Sequence, residues 1–135
     1  MKNSKFQKRN NRELLTPEQY DAPHPNPSNS YGKTYGEHRE FLEFNLDQHS
    51  ELKKYAESIG LVYSTSVWDT TSAKEIVQLN PEFIKVPSAC NNHFKMLEVL
   101  RDSYKGMVHI STGMTTVAEQ EEFVKFFEEK NQAKR

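Results

Sequence analysis

Apolar residues in this chain fall into three short runs that alternate with longer segments of helical periodicity. The runs at residues 61–67, 83–86 and 107–110 have the length of buried strands, and they begin about 22 to 24 residues apart. Apolar residues at helical spacing predict three further elements, the helices at residues 71–79, 92–103 and 116–131. The pattern therefore predicts strands and helices in alternation.

The first 35 residues show weaker periodicity. Segment 1–12 is basic and polar, and composition alone predicts a solvated tail there. Thr16 followed by Pro17 is typical of a helix start, with threonine as the N-cap. Segment 21–35 is rich in proline, asparagine and serine, so it predicts a long loop.

Residues 35–59 return to helical spacing of apolar side chains. A break near Asn45 divides this segment, and we expect Asp47 to cap its second part. Gly60 marks the end of the helix, since glycine commonly occupies that position.

The order helix, strand, helix, strand, helix, strand, helix predicts an α/β fold with parallel strands built from βαβ units. Both a (β/α) barrel and a doubly wound sheet fit this order, and the regular spacing favours the barrel slightly. Three such units, with a fourth at the N-terminus, fall short of the eight that a barrel needs. We therefore expect either an open sheet or part of a barrel.

Composition excludes several classes of protein. The chain has 135 residues, which suits one domain, and its 18 basic and 19 acidic residues give a net charge of -1. This balance gives no electrostatic basis for binding nucleic acid or a membrane surface. The single cysteine, Cys90, excludes an internal disulfide. No apolar run suggests a signal peptide or a membrane span, so we expect a cytoplasmic protein.

Polar side chains follow the predicted strands where parallel strands converge on a ligand site. Thr65, Lys85, Ser88 and Ser111 lie at or just beyond these ends. A lysine with several hydroxyls suits a phosphorylated or carboxylated ligand. The alternatives are a lysine that reaches solvent and hydroxyls that cap helices.

The five histidines form no closely spaced pair, so a local metal-binding motif is absent from the sequence. His109 lies two residues before Ser111 and is the best histidine candidate for the site. We expect His49 to be a surface or capping residue. Cys90 has no readable histidine partner, so we expect it to be packed in the interior rather than nucleophilic.

These segments resemble the sialic acid synthase family, which includes N-acetylneuraminate, legionaminic and pseudaminic acid synthases. The matching segments are Lys5-Phe6-Gln7, Tyr63-Ser64-Thr65, Trp68-Asp69, Phe83-Ile84-Lys85-Val86-Pro87-Ser88 and Ile110-Ser111-Thr112-Gly113-Met114. The order and spacing of these segments agree with the family from Lys5 onward. By this resemblance, the basic N-terminus contains a barrel strand.

The resemblance implies a partial (β/α)8 TIM barrel over residues 1–135, with about four βα units corresponding to strands 2 to 5. Enzymes of this family condense phosphoenolpyruvate with an N-acetylated hexosamine, with manganese or magnesium as a Lewis acid. The residues that match those holding phosphoenolpyruvate are Lys5, Thr65, Lys85, Ser88 and Ser111. The lysines would neutralise its charge, and the hydroxyls would orient it.

The resemblance also implies that parts of the family's site lie outside this chain. These are the strand with the catalytic glutamate, the two metal-binding histidines and the C-terminal antifreeze-like domain. Segment 88–92 is also about one residue shorter than the family pattern. We expect a synthase fragment that is inactive alone, with no assigned catalytic residue and no metal ligand.

Two alternatives remain for the function of the chain. The first is a non-catalytic module that binds an anion without turnover. The second is an interaction module, in which exposed sheet edges complete a barrel with another chain or with a second copy.

Overall fold

Four strands form one parallel sheet in the computed structural model, which describes residues 2–130. Their bounds are Asn3–Lys8 (β1), Val62–Val67 (β2), Phe83–Val86 (β3) and Met107–Ile110 (β4). The α-helices are Asn11–Leu14 (α1), Pro17–Asp21 (α2), Tyr35–Leu42 (α3), Leu46–Ser58 (α4), Thr70–Leu79 (α5), Phe94–Ser103 (α6) and Val117–Glu128 (α7). Short 3-10 turns cover Pro27–Asn29 and Ser88–Cys90. Within the described range, no helix is long and apolar enough to cross a membrane.

The strand order distinguishes the two architectures that the sequence left open. The strands lie side by side in chain order, β1-β2-β3-β4, and every neighbouring pair is parallel. A doubly wound sheet reverses its order at a switch point, and this sheet does not. Sequential addition of parallel strands is the barrel arrangement.

The apolar core lies on one face of the sheet. Val67, Ile84 and Val86 are fully buried and belong to one cluster with side chains of α5, α6 and α7. The helical residues of this cluster include Ala73, Ile76, Met96, Leu97, Leu100, Phe123 and Phe127. Alternation along each strand places the intervening side chains on the opposite face. We call that opposite face the bare face, because the cluster of helices does not cover it.

β1 confirms the strand that the resemblance implied at Lys5-Phe6-Gln7, so the interpretation of segment 1–12 as a solvated tail is wrong. Its six residues pair in register with β2, from Asn3 opposite Val62 to Lys8 opposite Val67. Composition misses this strand because one of its faces is polar throughout. Backbone pairing with β2 keeps it in the sheet.

The predicted break in residues 35–59 is confirmed, but the predicted cap is not. Asn45, rather than Asp47, begins α4. The Asn45 side chain accepts a hydrogen bond from the Gln48 backbone N–H at 2.9 Å, and Gln48 Oε1 accepts one from the Asn45 backbone N–H at 2.9 Å. This reciprocal capping box satisfies two N–H groups at the helix start.

His49 is buried, which contradicts its expected place on the surface. Its exposed fraction is 0%, and its Nδ1 lies 2.6 Å from the Tyr63 hydroxyl. The rings of Phe6 and Phe44 pack against it edge-on. Burial, followed by the charge of Lys8, lowers the pKa of His49 to about 4. The imidazole therefore stays neutral in the folded protein at neutral pH.

Because the pKa of His49 is lower in the folded protein than in the unfolded chain, its protonation should favour unfolding. The stability it contributes is present above about pH 6.5 and is lost as the pH falls towards 4. We expect a loss on the order of 2 kcal/mol across this window, measured by urea unfolding. His49→Gln should flatten this part of the pH profile, whereas the matched change at half-exposed His93 should not. Parallel profiles for wild type and His49→Gln would contradict this assignment.

Candidate anion-binding site

Two lysines lie on the bare face without an acidic partner. Lys5 is exposed and Lys85 is half-buried, and neither forms an ion pair within residues 2–130. Lys8 differs, because it is buried on the helix side with Glu43 at 3.5 Å and Glu75 at 3.4 Å. Strand spacing puts the Cα atoms of Lys5 and Lys85 about 12 Å apart, close enough for two long side chains to converge on one anion.

A polar row crosses the bare face at the level of Lys85. In the register of the sheet, Gln7 is opposite Ser66, Ser66 is opposite Lys85, and Lys85 is opposite His109. Neighbouring strands lie about 4.8 Å apart, so these side chains are adjacent. The His109 ring stacks on Phe83 at a centroid distance of 4.9 Å. His109 thus shares the face of Lys85.

Of the predicted site residues that lie in strands, Lys5 and Lys85 are on the bare face, and Thr65 is not. It is the fourth residue of β2, its exposed fraction is 0%, and alternation places it on the helix side with Val67. Ser64 and Ser66 occupy the bare face instead. The Ser64 hydroxyl donates a hydrogen bond to the Phe83 carbonyl at 3.0 Å. Of these two serines, Ser66 is therefore the nearer hydroxyl to Lys85.

Ser88 and Ser111 lie in two loops that are held together just beyond β3 and β4. The Ser111 N–H donates a hydrogen bond to the Val86 carbonyl at 3.0 Å. The buried amide of Asn91 donates to the carbonyls of Ser111 at 3.1 Å and Gly113 at 3.4 Å. A Cβ atom on Gly113 would lie 2.9 Å from Ser88 Oγ, so glycine permits this close approach.

The loops after β1 and β2 are joined in the same way at this end of the sheet. Asp69 accepts a hydrogen bond from the Asn10 backbone N–H at 2.7 Å. The same carboxylate caps α5 by accepting from the Ser72 N–H at 2.7 Å. Glu13 in α1 accepts from the Thr71 hydroxyl at 2.6 Å. The loop after β1 is therefore hydrogen-bonded to the loop after β2, and the loop after β3 to the loop after β4.

Neither a cysteine nucleophile nor a metal site is supported by the described residues. The Cys90 thiol donates a hydrogen bond to the Trp68 carbonyl at 3.3 Å, and burial, followed by the charge of Asp69, raises its pKa. Such a thiol is a poor nucleophile at neutral pH. Within residues 2–130, no three His, Cys, Asp or Glu side chains are grouped to hold a metal ion. The described residues therefore do not form a metal site.

Gln7, Ser64, Ser66 and Asn91 are polar site residues that the sequence did not single out. Gln7, Ser64 and Ser66 could have been found from the sequence, because every second residue of a strand lies on the same face of the sheet. Asn91 could not, because its role depends on contacts 20 and 22 residues away.

The sequential parallel sheet with polar residues at its carboxyl end defines the class as a (β/α)-barrel type of fold. Two solved structures that align with this chain support this. The chain aligns with sialic acid synthetase from Leptospira borgpetersenii at a TM-score of 0.72 and 20% identity, over 96% of this chain and 40% of that one. It aligns with a spore coat polysaccharide biosynthesis protein E from Chromobacterium violaceum at a TM-score of 0.65 and 17% identity, over 96% of this chain and 46% of that one.

The chain belongs to the NeuB family, whose model matches residues 2–135. It is 42% identical over 88 residues to the human N-acetylneuraminate-9-phosphate synthase, covering 65% of this chain and 24% of that protein. It is 36% identical over 100 residues to the Drosophila melanogaster protein of the same name, covering 74% of this chain and 27% of that protein. The aligned part of the chain thus spans about a quarter of the length of these relatives.

Replacing the Asn91 amide should loosen the two serine loops. Asn91→Asp removes the donor and sets a carboxylate against the carbonyls of Ser111 and Gly113 in a buried position. We expect the free energy of unfolding to fall by about 2 kcal/mol, measured by urea titration. The same change at its exposed neighbour Asn92 should alter stability by less than about 0.5 kcal/mol. Equal effects at the two positions would contradict the role given to Asn91.

Proposed function

We propose that this chain forms the phosphoenolpyruvate-binding part of a sialic acid-type synthase. The observation that carries the proposal is that Lys5 and Lys85 lie on the bare face and form no ion pair within residues 2–130. The loops of Ser88 and Ser111 follow the carboxyl ends of β3 and β4 in the same sheet. Phosphoenolpyruvate carries a phosphate and a carboxylate, so it needs two cationic partners and several donors. Lys5 and Lys85 would supply the charge, while Ser88 and Ser111 would fix the orientation.

In the proposed reaction, the enol carbon of phosphoenolpyruvate attacks the aldehyde carbon of an N-acetylated hexosamine and forms the new C–C bond. Water adds to the carbon that bears the phosphate, and phosphate leaves with cleavage of that C–O bond. Lys85 and Lys5 would hold the anionic groups through both steps.

We further propose that the sugar carries a phosphate. The relatives in human and fly are named N-acetylneuraminate-9-phosphate synthases. Phosphoenolpyruvate adds three carbons at the aldehyde end, so a phosphate on carbon nine of the product lies on carbon six of the sugar. A cytoplasmic location fits this proposal, and the single cysteine is consistent with a reducing compartment.

A second candidate function is barrel completion by another polypeptide or by a second copy. It is supported by the bare face and by β1 and β4, each of which pairs on one side only within the described sheet. Parallel sheets are normally covered on both faces. A partner that covers the bare face would also enclose Lys5 and Lys85.

Phosphoenolpyruvate binding should depend on Lys85. We expect Lys85→Ala to weaken binding at least about tenfold in calorimetry, because it removes a charge-assisted hydrogen bond. Lys74→Ala is the matched control, since Lys74 is exposed on α5 and away from the bare face. No binding by the wild type, or equal binding by both variants, would refute the proposed site.

Binding without turnover is the expected behaviour of the purified 135-residue chain. With phosphoenolpyruvate, an N-acetylhexosamine 6-phosphate and manganese, we expect neither phosphate release nor a nonulosonic acid product. The physical reason is that, among residues 2–130, no three His, Cys, Asp or Glu side chains are grouped to hold the metal that the resemblance implies. Product detected by mass spectrometry would contradict this prediction.

A further inference from the structure

Arg9 lies at the carboxyl end of β1, at the rim of the proposed site. Its guanidinium carbon is 4.4 Å from the centroid of the Trp68 ring, and Trp68 directly follows β2. The guanidinium also donates a hydrogen bond to Gln7 Oε1. Gln7 lies on the bare face in the same row as Lys85. Arg9 therefore follows β1 but contacts the face on which the lysines lie.

The Arg9 guanidinium has no acidic partner. Within residues 2–130, no carboxylate oxygen lies within ion-pair distance of it, whereas the guanidinium of Arg101 pairs with Asp102 at 2.8 Å and with Glu129 at 3.2 Å. Glu43 is nearby but accepts from the Arg9 backbone N–H, at 3.0 Å, and pairs with Lys8. Burial, followed by the charge of Arg39, lowers the pKa of Arg9. The charge of Glu43 acts in the opposite direction, but its carboxylate forms no ion pair with the guanidinium.

Arg9 is also close to the loop that carries Ser88. Its charge acts on the Cys90 thiol, and Cys90 ends the 3-10 turn that begins at Ser88. The same thiol donates to the carbonyl of Trp68, the residue under the guanidinium. Arg9, Trp68 and Cys90 therefore connect the ends of β1, β2 and β3.

We propose that Arg9 is a further anion-binding residue of this site, which receives a phosphate or carboxylate group of a substrate. The proposal rests on the proposed function above and extends it to a third cation. A guanidinium presents several N–H donors in a planar fork, which suits oxyanions better than an ammonium group does. Contacts with Trp68 and Gln7 hold the fork in place, which reduces the entropy lost when the anion binds.

The anion has two possible sources with the same chemistry, phosphoenolpyruvate and the phosphate of the sugar. Calorimetric titrations can separate them with three compounds: phosphoenolpyruvate, an N-acetylhexosamine 6-phosphate and the unphosphorylated sugar. The variants are Arg9→Gln, Arg9→Lys and, as a matched control, Arg12→Gln. Arg12 is exposed, and its guanidinium carbon lies 3.8 Å from the Tyr20 ring centroid, so it makes the same kind of ring contact.

We expect Arg9→Gln to weaken at least one phosphorylated compound about tenfold or more, and the compound affected identifies the source. Arg9→Lys should lose several-fold, because it keeps the charge but not the fork. If thermal melting shows that Arg9→Gln is unfolded, the affinities of Arg9→Lys test the role of Arg9 instead. Arg12→Gln should bind each compound as the wild type does.

Wild-type affinity of folded Arg9→Gln for both phosphorylated compounds would overturn the role of Arg9 and leave the proposed function intact. The same holds for Arg9→Lys if only that variant folds. If the wild type bound neither phosphorylated compound, the result would instead overturn the proposed function and, with it, the role proposed for Arg9. An equal loss in Arg12→Gln would show a general charge effect and would also overturn the inference.

Discussion

The alternation of side chains in one in-register parallel sheet is the constraint on which the rest of this structure depends. Because β1 to β4 pair without a register shift, residues of one parity face the helices along all four strands. Val67, Ile84 and Val86 therefore share one core, and Lys5 and Lys85 share the other face. A slip of one residue in β3 would bury Lys85 under the helices and expose Ile84.

The alternation of side chains also places the lysines on the face of the sheet that a closed barrel would enclose. The cationic face is also the face that a barrel would enclose, and a parallel sheet is rarely left open on one side. The chain covers 40% of the Leptospira synthetase and about a quarter of the human and fly relatives.

Much of the fold follows from local pattern. β3 and β4 coincide with the predicted runs at residues 83–86 and 107–110, and Gly60 has the left-handed backbone, at φ 73°, that ends a helix well. β1 was found only through the resemblance, since its sequence is polar. Asn45 rather than Asp47 caps α4 because Gln48, three residues after Asn45, completes the reciprocal capping box.

The site was less predictable, because its geometry depends on contacts between distant residues. Lys85, Ser88 and Ser111 follow from strand ends, but the face of Thr65 depends on its parity within β2. His49 is buried because Phe6, Phe44 and Tyr63 surround it, and no local pattern contains that information. The amide of Asn91 and the guanidinium of Arg9 likewise acquire their roles only when separate loops meet.

Amide NMR of the labelled chain during a phosphoenolpyruvate titration tests the central claim most directly. The account predicts saturable shifts for Lys85, Ser88, Ser111 and Gly113, with the outer surface of α7 unchanged. Shifts confined to α7, or no saturable shift at all, would contradict the assignment of the bare face as the anion site.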